Sequence, residues 1–310
     1  MVETPVLFIT FVRPDYARQT WEGIKAAKPK TLYFYSNKGR LEKDGEIERN
    51  NIIRSYVKEI DWDCDLHTWF RDECVNVYDS LRGAMDWLFD NEEQGIILEE
   101  DVVPSLAFFS FCDQMIDYYR QDRRVWYVSG DNLFNLNPKG YDYTFTHYHW
   151  MFGWATWRDR WKAVDWNNTY IDEMIEQDIY KHFFKTKKQC KERLEGKIKI
   201  KSFLEETKCW DYYFGMVCDQ QNAVGVVPKR HLITNIGLTG EHHGDAKKSY
   251  VNNESSYSEP IYRIEKRPPF VFVDYEYDYL DWHTEKQQLP IKLRIKRAIS
   301  KIVRRYFPKP

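Results

Sequence analysis

Hydrophobic residues in the first part of the chain fall in short continuous runs, separated by longer amphipathic stretches. Apolar runs occupy residues 6–12, 31–37 and 95–101, and helical patterns lie between them, for example at 15–27 and 75–89. Runs of this length are typical of buried strands. Strands that are apolar throughout need helices on both faces. The pattern therefore predicts an α/β fold, with a mixed, mostly parallel, Rossmann-like sheet flanked by helices.

The second half is less regular. An aromatic segment at 147–161 is followed by charged helical sequence, and residues 223–237 predict two more strands. Residues 268–277 are expected to be extended, and residues 291–307 to form a basic amphipathic helix. The domain boundaries that we predict are a catalytic domain at 1–245 (halves 1–132 and 133–245), an extension at 246–290 and a basic helix at 291–310.

Composition adds two constraints. Aromatic residues make up 17% of the chain, more than a core usually requires, which favours contact with sugars or bases although most single rings are expected in the core. Residues 291–310 hold eight Lys or Arg and no acid, whereas the rest carries 38 basic against 48 acidic residues. An acidic body argues against nucleic acid as its partner.

The basic tail predicts binding to an anionic membrane surface, apolar face inward and cations towards the headgroups. The alternative is a terminal helix docked on the acidic body. Six cysteines at irregular spacing, without a C-x-x-C pair or a secretory signal, favour reduced thiols. We therefore expect a cytoplasmic protein, peripheral on the inner face of the membrane, where a lipid-linked glycan would be its acceptor.

Three carboxylates, Glu99, Glu100 and Asp101, follow a predicted buried strand. Ligands bind at the carboxyl ends of strands in open α/β sheets, and adjacent carboxylates repel each other unless a cation compensates. Mn²⁺ or Mg²⁺ bridging a diphosphate needs only one or two protein carboxylates. A solvated acidic loop is the alternative.

The acidic motif, with the aromatic sequence after it, resembles that of GT-A glycosyltransferases related to N-acetylglucosaminyltransferase I and its bacterial relatives. Other segments match in the same order and extend the resemblance over residues 6–244. They are FVRPDYARQTWEGI, IILEED, VSGDN, FGWATWRDRW, CWDYYF and VVPKRHLITNIGLTGEHHG. The resemblance implies a metal-dependent, inverting hexosyl- or N-acetylhexosaminyltransferase that uses a nucleotide-diphosphate sugar, with a UDP-sugar favoured.

The resemblance also implies roles for single residues at the acidic motif. Asp101 matches the ligand of Mn²⁺ or Mg²⁺. Glu100 matches the acid that faces the ribose or a metal-bound water, although the family usually has Asp there. Glu99 matches the first acid and is a candidate partner for Arg13, which lies where relatives seat the nucleotide.

Further positions match the nucleotide and sugar contacts. Asn37 lies where relatives often have an Asp that accepts from uracil, although a plain turn explains it equally well. Gly153 and Trp154 match the segment under the donor sugar, where small residues allow close approach and an indole can stack. A tight core turn is the alternative for the tryptophan.

On the acceptor side, Asp211 matches the position of the general base, and its alternative role is that of a cap in the first turn of a helix. The pair His242 and His243 matches a late histidine near the metal or diphosphate, and His243 is favoured. A surface turn is the alternative, since imidazole is a second choice for a hard cation.

Two other functions remain open. A degenerate, non-catalytic GT-A protein that binds carbohydrate or acts as a scaffold would explain the departures at Glu100 and Asn37. A nucleotidyltransferase would share the sheet and the acidic motif, but it normally has a Gly-rich basic loop, which residues 6–21 lack.

Overall fold

The computed structural model describes residues 2–237 and 254–288. The apolar runs at 6–12, 31–37 and 95–101 each overlap one strand, whereas a short strand at 102–104 was not predicted. Ten strands lie within the described ranges. They are β1 Val6–Thr10, β2 Thr31–Ser36, β3 Asp65–Phe70, β4 Gln94–Glu99, β5 Val102–Pro104, β6 Val125–Ser129, β7 Tyr143–Thr146, β8 Gly153–Trp157, β9 Val224–Pro228 and β10 Ile233–Asn235.

Nine α-helices are present in the same ranges: α1 Pro14–Ala27, α2 Glu46–Arg54, α3 Val77–Asn91, α4 Leu106–Tyr118, α5 Arg158–Trp161, α6 Ile171–Glu176, α7 Lys187–Glu206, α8 Trp210–Gln220 and α9 Tyr275–Gln288. Local sequence determines where several of them start. Asn76, Ser105 and Thr186 cap α3, α4 and α7 by accepting a backbone N–H three residues on. Proline at the first position starts α1.

Eight strands form one sheet in the order β3-β2-β1-β4-β8-β6-β9-β7, and β5 pairs with β10 in a small second sheet. Strands β3, β2, β1, β4, β6 and β9 run in one direction, whereas β8 and β7 run in the other. The predicted α/β class with a mixed, mostly parallel sheet is therefore confirmed.

Both faces of the central strands are buried, as their continuous apolar sequences require, whereas the edge strand β3 is largely exposed. In β1, Val6 and Phe8 join a core cluster on one face, while Leu7 and Ile9 join the cluster on the other. Helices α1 and α4 cover the first face, and α3 and α8 the second. The strand ends are thus the positions where polar side chains reach solvent.

Three elements of the second half differ from the expectation. The aromatic segment contains strand β8, which inserts antiparallel between β4 and β6. Strand β7 was not predicted, and helix α9 begins at Tyr275, within a segment that we expected to be extended. Alternating large aromatic and small residues carry little periodicity, so pairing partners decide their conformation.

The described part of the predicted extension packs on the main sheet. Tyr262 is fully buried beside Phe111, and Asp278 of α9 is fully buried where it accepts a hydrogen bond from Thr146 of β7. The predicted helix at 291–307 lies outside the described residues. Within those residues, no helix is both long and apolar enough to cross a membrane. All six cysteines are free.

A buried ionic cluster joins α7 to α8. Asp219 is fully buried and pairs with Arg193 at 2.9 Å and with Lys197 at 2.7 Å. Burial alone would raise the pKa of Asp219, but the two cations hold it well below its usual value. Burial lowers the pKa of Lys197 to about 8. The carboxylate is therefore the group that keeps both cations compatible with the interior.

Asp219→Asn should lower the free energy of unfolding by about 3–5 kcal/mol, because two buried cations would lose their partner. Urea denaturation at neutral pH measures the loss. Asp172→Asn is the matched control, since Asp172 pairs with Lys201 of α7 while its side chain is 65% exposed. Asp172→Asn should lower the free energy of unfolding by no more than about 1 kcal/mol. Equal losses would contradict the assigned role of the cluster.

Candidate functional site

The carboxyl ends of β1 and β4 bring the acidic motif against the start of α1. Ile9 of β1 is paired with Glu99 of β4, so Glu100 lies beside the residues that follow β1. Glu100 Oε2 accepts from the backbone N–H of Phe11 at 2.7 Å, and Glu100 Oε1 accepts from Arg13 Nε at 2.6 Å. Glu100 therefore links the residues that follow β1 to the end of β4.

Arg13 also reaches Asp101, with Nη2 donating to Oδ2 at 2.9 Å. The sequence pointed to Glu99 as its partner, and this is corrected: among the described residues the ion pairs of Arg13 go to Glu100 and Asp101. Glu99 is the last residue of β4, and Arg13 acts on it only through space. A guanidinium fork can bind two carboxylates at once.

The two residues that follow β10, Ile236 and Gly237, also hold Asp101 in place. The backbone O of Asp101 accepts from Ile236 N at 2.9 Å, which continues the pairing of β5 with β10. A Cβ added to Gly237 would lie 2.3 Å from Asp101 Oδ2. The backbone of Gly237 thus lies directly against the carboxylate, and only glycine leaves that space.

Asp211 is in the first turn of α8, where Cys209 Sγ and the Tyr212 N–H both donate to its Oδ1, at 2.8 and 2.9 Å. Among the described residues no hydrogen bond reaches its Oδ2. Cys209 is the residue at which the helix is capped, and its side chain makes no capping bond. Asp211 therefore satisfies one N–H of the turn and keeps one oxygen available.

Charge repulsion couples these groups. Burial raises the pKa of Glu99 to about 8, and Asp101 and Asp211 contribute to the rise. Burial also raises the pKa of Asp211 above its usual value. The pKa of Glu100 is raised by burial, although Arg13 opposes the shift. Asp211 thus acts on the strand end from α8, and Arg13 opposes the rise in the pKa of Glu99 and of Glu100.

Asn37 lies after β2 and is almost fully buried. Its Nδ2 donates to Val75 O at 2.8 Å, while its Oδ1 accepts from Val75 N at 3.2 Å and from Lys38 N at 3.0 Å. These contacts join the end of β2 to the loop before α3. A contact between Asn37 and uracil stays a prediction.

Gly153 and Trp154 begin β8, next to the end of β4. A Cβ on Gly153 would lie 3.0 Å from Ile233 Cγ2, so the glycine allows β8 to approach the small sheet. Trp154 is fully buried and stacks on Trp210 with ring centroids 5.3 Å apart. The Trp154 ring therefore packs against the first residue of α8. A direct contact between Trp154 and a donor sugar stays a prediction.

The carboxylate oxygens at the end of β4 are of the type that hard divalent cations prefer as ligands. Within residues 2–237 and 254–288, no three His, Cys, Asp or Glu side chains form a ready metal cage. An ion shared with a diphosphate needs only one or two carboxylates, and Asp101 provides a carboxylate in an acidic environment. His242 and His243 lie outside the described residues.

Sequence reasoning missed two groups at the site. The sequence does point to Gly237, because a glycine at the end of a strand pattern often marks a place where the backbone lies close to another group. Lys197, which is 4% exposed, acts on Asp211 from α7 and slightly opposes the rise in its pKa. A lysine within a highly charged helix gives no such signal.

Comparison with known proteins gives structural matches only. No protein-family model matches the chain, and no curated protein matches it. A mannosyltransferase from Pyrobaculum calidifontis, PcManGT, solved with GDP-Man and Mn²⁺, is 11% identical over 70% of this chain and 74% of that chain, with a TM-score of 0.36.

Two further solved structures show the same range of similarity. The glycosyltransferase GlyE of Streptococcus pneumoniae TIGR4 is 14% identical over 71% of this chain and 44% of that chain, with a TM-score of 0.33. The 4-diphosphocytidyl-2C-methyl-D-erythritol synthase of Anaerococcus prevotii is 12% identical over 62% and 84%, with a TM-score of 0.32. Because these TM-scores are below 0.5, the functional argument rests on the site itself.

Arg13→Gln should destabilise the protein more at pH 8 than at pH 5. Without the cation, the pKa values of Glu99 and Glu100 rise further above those of the unfolded chain. The folded state then binds more protons than the unfolded state across this range, so stability falls as the pH rises. Urea denaturation at the two pH values measures the difference.

Arg18→Gln is the matched control. The hydrogen bonds of Arg18 hold the pKa of Glu59 at about 2, so this carboxyl is ionised in both states at pH 5 and pH 8. The Arg18→Gln variant should therefore lose the same free energy of unfolding at both pH values. If Arg13→Gln behaved in the same way, Arg13 would not be stabilising the ionised forms of Glu99 and Glu100.

Proposed function

We propose that this chain is a metal-dependent, inverting glycosyltransferase of the GT-A type. It would move a sugar, hexosyl or N-acetylhexosaminyl, from a nucleotide-diphosphate donor to a hydroxyl of a glycan acceptor. The observation that carries the proposal is the position of Asp211 at the start of α8, beside Trp210, whose ring stacks on Trp154 of β8 next to the end of β4. From there Asp211 acts through space on Glu99 and helps to raise its pKa. A metal-binding carboxylate and a base must both lie near the anomeric carbon for such a transfer.

The donor side of the proposal uses the edge between β1 and β4. Asp101 would hold Mn²⁺ or Mg²⁺, with His243 as a further candidate ligand from the sequence. The bound cation would neutralise charge on the diphosphate leaving group. Arg13 bridges Glu100 and Asp101 at this edge, and its guanidinium would also contact phosphate oxygens of the donor. Asn37 and the family resemblance favour uridine as the base.

On the acceptor side, Asp211 would take the proton of the acceptor hydroxyl as its oxygen bonds to the anomeric carbon. The bond from that carbon to the diphosphate breaks on the opposite face, which inverts the configuration. Burial supports this role, because a raised pKa makes the carboxylate of Asp211 a stronger base than an exposed aspartate. Its Oδ2 is the oxygen without a hydrogen bond among the described residues.

The acceptor class and location are proposed from sequence. The basic, amphipathic pattern at 291–307 fits a helix on an anionic membrane surface, with a lipid-linked glycan as acceptor at the cytoplasmic face.

Asp101→Ala should abolish stabilisation by a divalent cation with UDP, because the cation would lose its protein ligand. Thermal unfolding with Mn²⁺, with UDP and with both measures the effect, since a ligand of the folded state raises apparent stability. Asp113→Ala is the control, because the carboxylate of Asp113 on α4 accepts from the backbone of Glu3 and Thr4. This variant should keep the rise in unfolding temperature with Mn²⁺ and UDP.

An activity measurement tests metal dependence separately. Full turnover in excess chelator would contradict it.

Asp211→Asn should preserve donor binding and reduce turnover by about 10²-fold or more, the usual loss for a general base. A screen of nucleotide sugars for release of the nucleoside diphosphate identifies the donor and provides the assay. Cys209→Ser is the control, because it keeps a donor to Asp211 Oδ1 and should retain most activity.

Two results would count against this assignment. If Asp211→Asn lost structure while activity per folded molecule stayed constant, Asp211 would be a helix cap. If the wild type bound nucleotide sugars without turning any over, the degenerate, non-catalytic protein would be the better description.

A further inference from the structure

An open cavity of about 500 Å³ lies between strand β3 and helix α3. Strand β3 forms one edge of the large sheet, and within residues 2–237 and 254–288 no strand pairs with its outer side. The cavity is lined by Thr68, Trp69, Gly83, Asp86, Trp87 and Asp90. None of these residues belongs to the candidate site at the ends of β1 and β4.

Two indole rings form a fixed corner in this cavity. The rings of Trp69 and Trp87 have centroids 5.7 Å apart and meet at 70°. Tyr33 packs against Trp87 at 4.8 Å, and the guanidinium of Arg71 lies 4.5 Å from the centre of the Trp69 ring. Both tryptophans remain partly exposed. The two rings are therefore held in place, and each keeps part of its surface exposed.

Polar groups surround the corner. Asp86 Oδ1 accepts from Trp161 Nε1 at 2.8 Å, which fixes its carboxylate. Asp90 pairs through Oδ1 with Lys162 at 2.6 Å, while its side chain is 63% exposed and its second oxygen can accept from a ligand. Thr68 is exposed on β3, and Gly83 adds no side chain to the floor.

This combination matches the surface of a sugar ring. A pyranose has an apolar face of C–H groups, which packs on an indole, and a rim of hydroxyls, which donate to carboxylates and accept from cations. The charges of Asp90 and Asp86 are offset by Lys162 and Arg82, which contact them, and Arg71 adds one further cation against Trp69 and Gly83. Because charges of both signs are mixed around the cavity, a neutral ligand is favoured over a strongly charged one.

We propose that the corner of Trp69 and Trp87 is a second carbohydrate-binding site, which takes a segment of a neutral oligosaccharide. Asp90 and Thr68 contact the sugar hydroxyls, and the indoles contact the ring faces. The site goes beyond the proposed transfer reaction, and its binding does not depend on Asp101 or Asp211.

The test uses the full chain labelled with 5-fluorotryptophan and followed by ¹⁹F NMR. Trp69→Phe and Trp87→Phe variants assign the two signals among the 12 tryptophans. The probes are the neutral hexasaccharides of α-1,4-glucose, β-1,4-glucose and β-1,4-N-acetylglucosamine. At least one should shift both signals saturably in the millimolar range, while the fully buried Trp21 stays unchanged.

Thr68→Arg should fill the cavity and weaken binding at least tenfold, without removing a core side chain. Asp65→Arg is the matched control, because Asp65 is on the same strand, is 71% exposed and does not line the cavity. No shift with any probe at 20 mM would overturn the proposal, as would equal binding by the Thr68→Arg variant. A wild type that binds hexasaccharide but neither binds nor turns over any nucleotide sugar of the screen would refute only the transferase proposal.

Discussion

Repulsion between carboxylates at one edge of the sheet is the constraint on which the rest of the site depends. Glu99, Glu100 and Asp101 follow one another at the end of β4, and α8 adds Asp211. Arg13 is the cation that pairs with two of them. Burial and mutual repulsion raise the pKa of Glu99 to about 8, so this edge favours added positive charge. Such an edge suits a cation that arrives with a diphosphate.

Holding these carboxylates together requires stabilisation from elsewhere in the fold. Gly237 and the pairing of β5 with β10 fix Asp101 from one side. On the other, α8 carries Asp211 at its start and Asp219 near its end, where Asp219 pairs with two cations of α7. These ion pairs therefore fix the helix that carries Asp211, and they are costly to break because Asp219 and Lys197 are buried.

Aromatic residues serve two different purposes in this chain. Trp154 and Trp210 stack in the interior, where both rings are buried against the first turn of α8. Trp69 and Trp87 meet at the uncovered edge of the sheet and leave part of their rings exposed. The same composition thus supports both a packed core and a surface suited to sugar rings, and position alone separates the two.

The sequence by itself determined the α/β class, the strands β1, β2 and β4 and the acidic strand end, because these depend on local periodicity and on the fact that parallel strands end at one edge. Only the tertiary structure decided that β8 runs antiparallel beside β4, that Arg13 pairs with Glu100 and Asp101, and that Asp211 acts through space on Glu99. These features join segments separated by many residues. Their geometry depends on how the helices pack on the sheet, and no local pattern encodes the direction or distance of such contacts.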